Sequence, residues 1–131
     1  MIIANTPAAI GADKSSVQIR TTGGKWLKIP QASKITIAKK IISLVNVCSV
    51  WASVDNFLPH LCACHGLTPG VVVFSKSDPS IFGYEHNVNI LKSREHLRVD
   101  QWGRWAPLNC PCDQDAFPDA GDVARIILSK A

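Results

Sequence analysis

The chain lacks an apolar stretch long enough to cross a bilayer. Its longest runs only from Ile41 to Val54 and is broken by Ser43, Asn46, Ser49 and Ser53, whereas a membrane helix needs about 20 apolar residues. A buried helix is the simpler reading, and no membrane partner is expected. Charged residues are also scarce, at 18% against 47% hydrophobic. That balance excludes a disordered polar chain and suits a globular one. The opening MIIANTPAAIGADKSS has neither a basic segment nor a sustained apolar core. No secretory signal is therefore expected, and the expected location is cytoplasmic and reducing.

Familiar catalytic motifs are missing too. There is no Gly-x-Ser-x-Gly, no His-Glu-x-x-His and no phosphate loop. Gly23-Gly24-Lys25 lacks the first glycine and the following Ser or Thr of such a loop. Asp113-Gln114-Asp115 is not completed by the glycine and glutamate of a calcium loop. Acids are nearly absent from the first 40 residues. Asp13 stands alone there against Lys14, Arg20, Lys25, Lys28, Lys34, Lys39 and Lys40, a local excess of +6. The remaining 91 residues carry seven basic and nine acidic side chains, so the whole chain is only +4. Such asymmetry suits a surface that meets an anionic partner.

Cysteine is what the chain does have. Four of its five cysteines form two Cys-x-Cys pairs, Cys62/Cys64 within His60-Leu61-Cys62-Ala63-Cys64-His65 and Cys110/Cys112 around Pro111. Thiolate and imidazole are preferred zinc ligands, so Cys62, Cys64, Cys110 and Cys112 are the candidate metal set, with His60 or His65 as substitute. Geometry sets a condition. In an extended or looped segment His60, Cys62 and Cys64 share one side, whereas in a helix Cys62 points away from Cys64. The competing readings are buried free thiols, or disulfides joining Cys62 or Cys64 to Cys110 or Cys112 with Cys48 left over.

The pattern predicts an α+β fold: a single compact domain over 1–131, with 1–15 a loose arm. An antiparallel or mixed sheet would be packed by a long central helix and a C-terminal helix. Val17–Thr21 and Trp26–Ile29 flank a Gly-Gly turn and read as a hairpin. A strict two-residue loop would set Ile19 opposite Lys28, so a bulge or longer loop is needed to restore the apolar pattern. Ile37, Ile41, Leu44, Val45, Cys48, Trp51 and Ala52 recur at helical spacing and predict a helix over 34–52 capped by Ser33. Pro59 fits the start of a short helix ending at Gly66. Gly70–Phe74 reads as a central strand. Further strands are expected near 84–91 and 96–102, and a last helix over 120–130. Leu44, Cys48, Trp51, Val72, Phe74 and Ile126 are the expected core.

Two functional classes remain. The first is a small non-catalytic binding or regulatory domain, zinc-stabilised if the thiols bind metal. Its surface would comprise Arg20, Lys25, Trp26, Lys28, Lys34, Lys39 and Lys40. It would meet a protein partner in preference to nucleic acid, because the charge is modest and no nucleic-acid-binding module is present. The second is a small thiol- or metal-dependent enzyme with Cys62, Cys64 or Cys110 beside His65, His86 or His96.

Overall fold

A computed structural model of the chain describes residues 2–5, 13–20, 24–103 and 113–131. The fold class is α+β, and the chain divides into two compact units, 1–44 and 45–131.

The first unit is an antiparallel meander followed by a helix. Strands β1 (Ile2–Asn5), β2 (Lys14–Arg20) and β3 (Trp26–Ser33) lie in sequence order. Residues 2–5 thus belong to the sheet, not to a loose arm. Arg20 pairs with Trp26, Ile19 with Leu27 and Val17 with Ile29, with a bulge between Ser15 and Val17. The connection is longer than two residues, and this slides the register by one. Ile19 then faces Leu27 rather than Lys28, which restores the apolar pattern. Val17 and Ile29 are buried as a pair. Helix α1 (Lys34–Val45) starts where expected, and the Thr36 amide donates to Ser33 Oγ at 3.2 Å. Ile37 and Ile41 are buried on one stripe, in register with Val45.

The helix stops at Val45, seven residues short of the expected 52. Asn46 and Val47 turn, and the Cys48 amide donates to the Val45 carbonyl. The apolar run continues, but Ala52–Val54 are used as strand β4 of the second unit. A local periodicity was overridden by pairing with residues far along the chain.

In the second unit β4, β5 (Val71–Phe74) and β6 (Val88–Leu91) form a parallel sheet in that order. Strand β5 is central. Val71, Val72 and Phe74 are at most 1% exposed, as expected for a parallel strand covered on both faces. The parallel order requires crossovers. Helices α2 (Phe57–Cys64) and α3 (Pro79–Phe82) occupy them. Asn56 caps α2 through the Leu58 amide. Pro59 sits in the first turn, where a missing N–H costs nothing. At the other end Leu67 N–H donates to Cys62 O and Gly66 N–H to Ala63 O, with Gly66 at φ 59°. This pair of bonds closes the helix with glycine in the left-handed region.

Gly70 precedes β5 because the Trp51 ring occupies the space a Cβ would fill. The Trp51 indole in turn donates to the Thr68 carbonyl. Buried Asn87 accepts from the Gly70 amide at 2.9 Å. Residues 84–87 are turn, so β6 begins later than expected, and 94–96 form a single 3-10 turn in place of the start of a strand. No strand is present over 96–102. Helix α4 (Ala120–Lys130) matches its expected range, with Asp119 Oδ1 accepting from Gly121 and Asp122 amides. Of the expected core, Trp51, Val72 and Phe74 are buried, while Leu44, Cys48 and Ile126 are half-buried.

Candidate functional site

The basic candidate residues Arg20, Lys25, Lys28, Lys34, Lys39 and Lys40 all fall in the first unit. Lys25, Lys28, Lys34, Lys39 and Lys40 are exposed, and Trp26 is 52% exposed beside them. Arg20 is the cross-strand partner of Trp26, and Gln18 that of Lys28. Trp26 and Lys28, two apart on a strand, share a face. Lys39 and Lys40 lie off the buried stripe of α1, as a solvated face requires. Residues 14–44 contain no acid at all. The lysines therefore present positive charge with no carboxylate of their own segment to offset it.

Segment 60–65 took the helical alternative. Residues 57–64 form α2, so Cys62 and Cys64 diverge: Cys62 is 1% exposed and Cys64 is exposed. His60 shares the outward side with Cys64, and both are exposed. The helix does not bring the His-x-Cys-x-Cys donors to one point. Cys110 and Cys112 lie outside the described residues. Among the described residues no three His, Cys, Asp or Glu side chains are grouped to hold a metal. Cys48, Cys62 and Cys64 are free thiols. Burial pushes the Cys62 thiol above its ordinary value, which keeps it protonated and a poor nucleophile near neutral pH. His65 and His86 are exposed, and His96 is half-buried with Nδ1 3.9 Å from the Asp113 carboxylate.

The second unit carries a cleft that the sequence reading did not single out. Its volume is about 410 Å³, within the usual range for small-ligand sites. It opens at the carboxyl ends of the parallel strands. Asp55 and Asn56 follow β4, and Ser77 follows β5. His60 enters from α2 and Phe82 from the end of α3. The opposite wall is the segment containing Arg98, Gln101, Trp102 and Gly103.

That wall is tied down by hydrogen bonds. Gln101 Nε2 donates to the Lys76 and Arg98 carbonyls at 3.2 and 2.7 Å, and its Oε1 accepts from the Asp78 amide at 2.8 Å. The Arg98 amide donates to the Lys76 carbonyl, and its guanidinium donates to the Gln101 carbonyl. Below it, Asp78 is 6% exposed and caps α3 through the Ser80 amide and hydroxyl. These Ser80 bonds, together with the Arg94 guanidinium, hold the Asp78 carboxyl below its ordinary range. The Phe82 and Trp102 rings meet edge to face with centroids 5.1 Å apart. His60 Nδ1 and the Tyr84 hydroxyl are 2.9 Å apart.

Ser77 differs from its neighbours. It is only 6% exposed. Among the described residues its hydroxyl makes no hydrogen bond, although it lines the cleft. Asp55-Asn56 and Ser77-Asp78 each follow a strand of the parallel sheet, and ligands of open parallel sheets bind where such strands end, but β4 is set by its pairing with β5, which no local stretch of sequence contains. Among the described residues no helix is long and apolar enough to cross a membrane. Comparison with protein-family models, with curated proteins and with solved structures returns no match for this chain.

Proposed function

We propose that this chain is a non-catalytic binding domain whose N-terminal unit meets the acidic surface of a protein partner. The observation that carries the reading is the exposed lysines in a segment, 14–44, devoid of acids. Charge of one sign on a small unit steers an oppositely charged partner and sets association rate more than final affinity. The unit's half-exposed Trp26 adds a flat apolar contact, a residue type favoured at interfaces.

Poly-L-glutamate serves as the acidic polypeptide probe, with fluorescein-labelled oligo-dT as the competing anion. The full chain binds poly-L-glutamate at about 20 mM salt and releases it as screening shortens the Debye length at about 150 mM. The Lys39→Glu, Lys40→Glu double variant weakens binding by about tenfold or more, since each reversal adds repulsion as well as removing attraction. Binding to neither probe at low salt overturns the reading. Preference for oligo-dT, lost in Trp26→Ala, transfers the surface to single-stranded nucleic acid, where bases stack on aromatic rings.

A further inference from the structure

The cleft of the second unit has a build that the basic surface does not explain. Its frame is β4–α2–β5–α3–β6, a parallel βαβαβ with the strands side by side in sequence order. Such a frame is one mononucleotide-binding half of a doubly wound sheet, with the ligand at the carboxyl edge. The cleft lies at that edge. Topology alone does not assign a ligand, so the side chains must.

We propose that the cleft binds a nucleoside monophosphate. Four groups divide the work. Trp102, 78% exposed and braced by the edge contact with Phe82, offers a ring face for a planar base. Asp55, immediately after β4, lines the cleft and offers a carboxylate to ribose hydroxyls. Arg98 supplies positive charge for the phosphate, and His60, its Nδ1 engaged by Tyr84, presents Nε2. Ser77 adds a hydroxyl that lines the cleft and makes no hydrogen bond among the described residues, so it is open to a ligand oxygen. No glycine-rich turn follows β4, where the sequence is Asp55-Asn56-Phe57-Leu58. The phosphate is therefore held by side chains, not by a backbone cradle.

The test is calorimetric titration of the full chain with AMP, adenosine and inorganic phosphate, each separately. AMP saturates one site per chain, and adenosine and phosphate each bind at least about tenfold more weakly, since each reaches only part of the cleft. Trp102→Ala removes an exposed ring and raises the AMP dissociation constant about tenfold. Ser77→Ala raises it about fivefold or more, while the thermal midpoint stays within a few degrees of the parent. Absence of saturation by AMP in the millimolar range overturns the proposal. So does an unchanged constant in Trp102→Ala or Ser77→Ala, or binding of phosphate as tight as that of AMP. The Lys39→Glu, Lys40→Glu variant binds AMP normally, which separates failure of this site from failure of the basic surface.

Discussion

The two units solve the same problem in opposite ways. The first builds its sheet from neighbours in sequence, antiparallel, with a bulge and exposed residues at its turn end. The second builds a parallel sheet whose central strand is almost wholly buried. The charge divides along the same boundary, with +6 before residue 45 and −2 after it. The comparison teaches where specificity resides in each. An antiparallel meander leaves an open surface whose chemistry is charge. A parallel sheet leaves a recess at its strand ends whose chemistry is a few placed side chains.

The comparison breaks first at the cores. Phe74→Ala empties a site that is 1% exposed, and is expected to cost about 3–5 kcal/mol by urea unfolding. Ile29→Ala, in the first unit, is expected near the lower end for its type, about 2 kcal/mol, because its strand neighbours are exposed. Equal losses would erase the difference in burial. Gly70→Ala forces a methyl into the Trp51 ring, and overpacking of this kind costs about 1–3 kcal/mol. A neutral substitution would mean that the ring can move aside.

Acid sharpens the comparison further. Asp78 is held below its ordinary value of 3.8 by Ser80 and Arg94. A depressed carboxylate contributes its stability above that value, and the contribution disappears as pH falls through the lower folded one. The stability difference between the parent and Asp78→Asn should be constant from pH 7 to about pH 4 and shrink below it. A difference that persists undiminished to pH 2 would place the effect in packing. The smallest expected effect is chemical. Iodoacetamide should label exposed Cys64 at least about tenfold faster than Cys62, whose thiol is buried and raised in pKa. Peptide mapping reads the two sites separately, and equal rates would show that α2 opens as readily as it closes.

How much was legible in the sequence differs between the units as well. Ser33 announced the start of α1 because capping is local chemistry. The run Gly70–Phe74 announced a central strand through its composition. The hairpin register was recoverable from the awkward match of Ile19 with Lys28. The end of α1 was not recoverable. Trp51 and Ala52 keep helical spacing with Val45, yet Ala52 pairs with Val71, a contact no local window contains. The same limit hid the cleft. Its walls come from Asp55, Ser77 and Trp102, each unremarkable alone and brought together by the parallel crossovers. The conformation of the cysteine pair was hidden for a related reason. Cys62-Ala63-Cys64 reads as a metal clip only if extended, and the cap at Asn56 and the glycine stop at Gly66 enclose it in a helix.

Parallel pairing also sets an order in time. Arg20 can meet Trp26 across a short loop, whereas Ala52 must wait for Val71, and Val71 for Val88. Closing distant contacts is slower than closing near ones, and synthesis releases the N-terminal strands first. The lysine-bearing hairpin can therefore pair while the acidic remainder is still unmade. For that interval the hairpin's positive charge is not yet offset by the acidic residues of 45–131, in the company of whatever polyanion lies near the site of synthesis.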